Sequence, residues 1–162
     1  MDVNELIENI FKEYPELNSL SGKEKRMFLE EFERKINASE DIPALSYDFD
    51  IPDSLLLKKD EYIDGMNQKY RIPAENALKF FAEYCASKKI IPLKASAEQM
   101  GEFIKDCYKN GKSQSTTRVM FSRINQYYKY LVSEKILGYD ENPCEKITVS
   151  EIDYNSSKKS DS

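Results

Sequence analysis

The chain has 162 residues with 40% hydrophobic and 33% charged content, a formal net charge of −5 and no histidine or tryptophan. That size suits one ordinary domain with appendages, and few glycines and prolines with many charges favour a helical, soluble protein. An acidic start without a long apolar run excludes a signal peptide, no stretch nears the roughly 18 apolar residues of a membrane helix, and a cytoplasmic location is expected.

The absence of histidine removes the usual general base and the commonest metal ligand together. Cys85, Cys107 and Cys144 are odd in number and form no CxxC pair. They do not make a zinc site, and Cys85 and Cys107 fall on apolar helical stripes as small buried hydrophobes. Acid pairs such as Glu30 with Glu31 and Asp140 with Glu141 read as solvated surface charge. No cofactor, metal or catalytic constellation is expected.

In chain order, Val3, Ile7, Ile10, Phe11 and Tyr14 share one helical face, which predicts a first amphipathic helix ending before Pro15. Ser21 and Glu24 have capping-box spacing and open a second helix from Gly22 to about Ile36, with Phe28, Leu29, Phe32 and Ile36 inward. Residues 1–42 are thus expected to form an acidic helical N-terminal extension. The stretch NASEDIPALSYDFDIPD from Asn37 to Asp53 keeps neither helical nor strand period. Within it residues 43–53 read as a linker, packed in places by Leu45, Tyr47 and Phe49.

A more regular region begins at Pro52. Ser54 is expected to cap a helix to about Tyr70 with Leu55, Tyr62, Ile63, Met66 and Tyr70 on its apolar face. Arg71–Pro73 is read as a break, with Pro73 opening the next helix, Ala74 to about Lys88. Its core residues are Ala77, Phe80, Phe81, Tyr84 and Cys85. After the KKIIPLKA crossover, Ser96 and Gln99 repeat the capping box, and Met100, Phe103, Ile104, Cys107 and Tyr108 follow helical spacing up to Gly111, the expected left-handed stop.

The last long helix runs from about Ser115 to Lys135. Met120, Phe121, Ile124, Tyr127, Tyr128 and Leu131 form its apolar stripe, and Arg118, Ser122, Asn125, Gln126 and Lys129 share the other side. The chain then turns through Asn142 and Pro143, and the polar residues 148–162 are expected to be largely disordered.

Charge is unevenly distributed. Residues 1–60 carry 15 acids and 8 bases, whereas residues 88–135 carry 10 bases and 4 acids. The front repels phosphate and the back attracts it. At Lys112–Arg118, KSQSTTR, four hydroxyl residues stand at a helix N-terminus between two cations, a place that suits an N-cap and a phosphate alike.

The stretch GKSQSTTRVMFSRINQYYKYLVSEKILGYDENP, with its Gly/Ser/Thr start, aromatic pair and closing Asn-Pro, resembles the last long helix of the core-binding, SAM-like domain of phage integrases and other tyrosine recombinases. The segment LKASAEQMGEFI and the order of four helices, at about 55–70, 74–88, 96–110 and 115–135, extend the resemblance to residues 54–147. The resemblance implies an all-α, four-helix SAM-like bundle preceded by the N-terminal extension. It also implies a partner, double-stranded DNA, held mainly by its phosphate backbone while a separate catalytic domain closes the other side. On this reading the DNA-binding residues are Lys112, Ser113, Ser115, Thr116, Thr117, Arg118, Ser122, Arg123 and Lys129, with base contact from Arg118, Asn125 and Gln126 a weaker expectation.

Two departures stand beside it. Pro73, Ala74 and Glu75 occupy the start of the second helix, where the family often places threonine and basic or amide residues. The family's catalytic arginine, lysine, His-x-x-Arg motif, further His or Trp and tyrosine nucleophile have no counterpart here, so a non-catalytic module is expected, as a fragment of a longer integrase or a free-standing protein. The alternative is a mobile-element accessory or inhibitor that meets a protein partner through residues 1–42.

Overall fold

The structure, a computed structural model, describes residues 3–38 and 51–152. Regular structure there is all helical: α1 Val3–Glu13, α2 Gly22–Ala38, α3 Ile51–Ser54, α4 Lys59–Asp64, α5 Gln68–Ser87, α6 Ala97–Lys109 and α7 Gln114–Ser133, with short 3-10 turns between and after them. None of these helices is long and apolar enough to cross a membrane. The expected contacts of Leu45, Tyr47 and Phe49, and the tail beyond Ile152, lie outside the described residues.

The N-terminal helices follow their sequence signals. Ser21 Oγ accepts the Glu24 amide at 3.1 Å and the Glu24 carboxylate accepts the Ser21 amide at 2.9 Å, so both free amides at the start of α2 are satisfied. Leu6, Ile7 and Ile10 of α1 and Phe28, Phe32 and Ile36 of α2 are buried in the same apolar cluster as Leu55–Leu57 and the later helices. Ion pairs fasten the same joint from outside, Arg34 to Asp60 at 3.1 Å and Lys94 to Glu24 at 3.0 Å. Burial opposes the charge of each of these two carboxylates, but the hydrogen bonds they accept, from Arg34 on Asp60 and from the Ser21 amide and Lys94 on Glu24, hold both below the usual carboxylate range.

Between residues 51 and 73 the structure departs from the sequence reading. Of the expected single helix from 55 to 70 only Lys59–Asp64 is a separate short helix, and the residues from Gln68 on belong to α5. Ser54 does not cap it but ends α3, and Leu55, Leu56 and Leu57 all turn inward. Three consecutive buried side chains cannot lie on one helical face, so the backbone leaves the helix there and re-enters after Lys58, which has φ 56°. Lys59 is buried and pairs with Asp53 at 2.6 Å.

The expected break at Arg71–Pro73 is likewise displaced. It lies at Gly65–Asn67, where Asn67 caps α5 by accepting the Lys69 amide at 3.2 Å, and α5 runs on through Pro73. Arg71 is inside the helix and reaches back to donate to the carbonyls of Asp64 and Met66 at 2.9 and 3.1 Å, capping the end of α4. Tyr70, expected inward, is 48% exposed.

The remaining helices match their predicted cores. α5 packs against both α3 and α7, and α6 against α7. The capping box of Ser96 and Gln99 is formed. Gly111 has φ 90°, and the amides of Gly111 and Lys112 donate to Tyr108 and Cys107, which closes α6 in a Schellman motif.

α7 is tied to the rest by its inward face. Tyr127 donates its hydroxyl to the Leu57 carbonyl at 2.8 Å, and Tyr128 donates to the Pro92 carbonyl at 2.6 Å. One tyrosine therefore holds the α3–α4 turn and the other holds the α5–α6 crossover. Asn142 is buried, donates to Asn125 Oδ1 at 2.8 Å and accepts the Cys144 amide at 2.9 Å. This is the structural work of the Asn-Pro end.

Candidate nucleic-acid interface

The Schellman motif sets where the candidate site begins. It turns the chain sharply out of α6, so that Lys112 and Ser113 arrive at the start of α7 with the serine in an extended conformation. Ser113 Oγ accepts the Thr116 amide at 3.1 Å and donates to Thr116 Oγ1 at 2.9 Å. Ser113 is thus the N-cap, which the sequence reading allowed beside phosphate contact.

The other hydroxyls divide. Ser115 and Thr116 are exposed, whereas Thr117 is fully buried and donates to the Ser113 carbonyl at 2.8 Å. A hydroxyl so placed cannot touch DNA, so Thr117 is a correction to the expected set. Its position, three residues before Met120 and four before Phe121, puts it on the apolar stripe, a signal that the sequence already carried.

The outward residues form two edges of α7. Arg118, Ser122 and Asn125 line one side, together with Thr148 and Ser150 of the following segment, around an open groove of about 490 Å³. Thr116, Val119 and Arg123 line the other side, facing α5 across a groove of about 680 Å³ whose rim also includes Lys112 and Ser115. The structure therefore brings Lys112, Ser115, Thr116 and Arg123 together and sets Arg118 and Ser122 apart from them, across the width of the helix. Lys129 continues the Arg118 edge by helical spacing.

Three of the four expected cations are open to a ligand. Among the described residues no carboxylate pairs with Lys112, Arg118 or Arg123. Lys112 Nζ lies 4.5 Å from the centre of the Phe80 ring, which holds the ammonium at the groove without neutralising it. Lys129 stands 4.0 Å from Glu145, with both side chains about half exposed, so this contact is weak and readily exchanged for another anion. Asn125, expected to be available to a base edge, has its amide oxygen occupied by Asn142.

No cysteine or tyrosine among the described residues lines these grooves. Burial pushes the Cys85 and Cys107 thiols up to about 12 and that of Cys144 higher still, so all three stay protonated. Burial likewise raises Tyr127 and Tyr128 well above the ordinary phenol value. Among the described residues no three side chains are grouped to hold a metal. What the surface offers an anion is cations with no carboxylate partner among the described residues and exposed hydroxyls, about the N-terminal half of a 20-residue helix.

Sequence reasoning missed the Thr148 and Ser150 side of the surface and the part α5 plays in the wider groove. Pro73, expected to open a helix, instead forms part of that groove's wall. Against known proteins, the sequence matches no family model, and no curated protein or solved structure matches it significantly.

Proposed function

We propose that this chain is a non-catalytic DNA-binding module of the integrase type, its later helices forming the SAM-like four-helix bundle of a tyrosine-recombinase core-binding domain behind a helical N-terminal extension. Double-stranded DNA is its partner, held by phosphates along the outer face of α7. One observation carries the reading: Lys112, Arg118 and Arg123 stand about the first half of α7 with no carboxylate partner among the described residues, while acids of the front half, such as Glu24, Glu31 and Asp60, are paired with cations of the fold. Ser115 and Thr116 supply further hydroxyls on the Lys112 and Arg123 edge, and Ser122 supplies one on the Arg118 edge.

Phosphate contacts of this kind release condensed counterions, so affinity should fall with the logarithm of salt at a slope of about −0.9 per neutralised phosphate. With Lys112, Arg118, Arg123 and Lys129 engaged, the slope is about −3 to −4. Fluorescence anisotropy of a labelled duplex across a salt series measures it. Exchanging Lys112, Arg118 and Arg123 for glutamine together should weaken binding to all sequences and flatten the slope by roughly one per residue. Binding that is absent at low salt, or insensitive to salt, overturns the proposal.

The alternative, a protein-binding accessory working through residues 1–42, draws support from the exposed carboxylates Glu8, Glu13, Glu30 and Glu33. Deleting that segment does not test it, because Phe28, Phe32 and Ile36 belong to the common core. Charge reversal of those four glutamates leaves the core whole and abolishes partner capture if this reading holds.

A further inference from the structure

Two features of the surface are complementary to each other. The first is the groove between α5 and α7. Its floor is apolar, with Phe80 and Met120, its wall carries Pro73 and Val119, the latter at 48% exposure, and its rim carries Lys112 and Arg123, which have no carboxylate partner among the described residues. A phosphate backbone uses the rim and leaves the floor unfilled. An occupant suited to the whole groove brings an apolar ring together with negative charge.

The second feature is the turn after α7. Tyr139 there is 88% exposed, the most exposed large hydrophobic side chain among the described residues. The turn is well braced: the Glu141 amide donates to the Gly138 carbonyl at 3.0 Å, and the Gly138 amide donates to the Glu141 carboxylate at 2.6 Å. Asp140 and Glu141 are exposed beside the ring. An aromatic side chain flanked by two acids is thus held out to solvent on a rigid support.

We propose that the Gly138–Glu141 turn of one copy docks in the α5–α7 groove of a second copy, with the Tyr139 ring on the apolar floor and Asp140 and Glu141 facing Lys112 and Arg123. Within one chain the two features stay apart, since the Tyr139 ring is 88% exposed and no residue of the turn lines the groove. The contact is therefore head to tail, joining different surfaces of the two copies, and extends into open strings rather than a closed dimer. A braced tyrosine is a suitable anchor, since it loses little freedom on docking and covers a large area for its two torsions. The contact is small, well under the roughly 1,000 Å² of a stable interface, so assembly is weak and reversible. It leaves the Arg118 and Ser122 edge of α7 uncovered.

Sedimentation velocity of the full chain without DNA tests the proposal independently of DNA binding. The weight-average sedimentation coefficient should rise between about 10 μM and about 500 μM without reaching a dimer plateau, and should fall again with added salt. Tyr139→Ala disables the turn and Val119→Glu disables the groove, and neither residue belongs to the cationic set. Each variant alone should associate at least about 30-fold more weakly, the loss expected for an anchor residue. Mixed in equal amounts, the two should form one-to-one dimers and nothing larger, because only one intact turn meets one intact groove. Tyr139→Phe, which keeps the ring, should assemble as the parent chain does. A parent chain that stays monomeric at the highest concentration, a Tyr139→Ala chain that assembles normally, or a mixture that stays monomeric overturns the proposal.

Discussion

The two hydroxyls on the inner face of α7 offer the most direct quantitative test of the fold. Tyr127 and Tyr128 are 1% and 0% exposed, and their hydroxyls donate to the carbonyls of Leu57 and Pro92 at 2.8 and 2.6 Å. Substituting phenylalanine keeps each ring and its packing, including the 5.6 Å contact between the two rings, and removes only the donor. At Leu57 a buried carbonyl then lacks its partner, which costs about 1–2 kcal/mol, whereas the Pro92 carbonyl still accepts the Ala95 amide at 3.2 Å, so Tyr128→Phe removes one hydrogen bond without orphaning its acceptor and costs about 0.5–1.5 kcal/mol. Because the two rings are in contact the losses are not independent, and the double variant should lose about 1.5–3 kcal/mol. Urea unfolding followed by far-ultraviolet circular dichroism reads these values, and Tm should fall by roughly 2–8 °C for Tyr127→Phe and roughly 1–6 °C for Tyr128→Phe. Tyr130→Phe is the internal control: its hydroxyl reaches only the exposed Glu134, at 3.4 Å, and its removal should change stability by less than about 0.5 kcal/mol. Tyr127→Phe and Tyr128→Phe variants as stable as the parent, or a Tyr130→Phe variant equally damaged, would refute the clamp.

The same burial governs behaviour in alkali. Burial raises the phenols of Tyr127 and Tyr128, so the unfolded chain ionises first and stability, complete below the unfolded value near pH 10, declines as pH rises toward the higher folded values; ultraviolet titration should show these two phenols ionising only as the chain unfolds. At Gly111 the φ of 90° is unfavourable to any other residue, while nothing lies within 4 Å of where a Cβ would stand. Gly111→Ala should therefore cost about 1–2 kcal/mol by backbone strain alone in the same urea assay, and a neutral result would mean that the turn relaxes out of the left-handed region.

Local signals with one physical meaning were legible in the sequence. The two serine capping boxes, the glycine stop at 111 and the 3.6-residue stripe from Met120 to Leu131 each correspond to a single arrangement of hydrogen bonds or faces, and the structure contains them. Signals with two meanings misled. Pro73 suits the first turn of a helix and ordinarily disfavours the interior, yet α5 starts at the Asn67 cap and carries it within. The run Leu55–Leu57 fitted a helical stripe through Leu55 alone, although three adjacent buried leucines require a turn. The left-handed helix ends at Lys89 and Lys135 had no signal at all, since lysine rarely adopts that conformation. The candidate site shows the same limit. Periodicity placed Arg118, Ser122 and Lys129 outward, but it could not say that α5 flanks one edge of α7 and the 147–150 segment the other, because neighbours across a bundle are set by tertiary packing.

That packing bears on the proposed function through rigidity. α7 is fixed by Tyr127 at the α3–α4 turn, by Tyr128 at the α5–α6 crossover and by Asn125 at Asn142, three polar ties to three different connections. Its outer cations therefore sit on a helix whose position is already determined before any ligand arrives, and binding need only order side chains. Thr117 completes this division of labour. Its hydroxyl, read from sequence as one of four facing an anion, is turned inward to the Ser113 carbonyl and steadies the first turn that carries Ser115 and Thr116. Inner and outer faces are thus separable by mutation: loss of an inner tie should lower stability while leaving the salt slope of DNA binding intact, and loss of an outer cation should do the reverse.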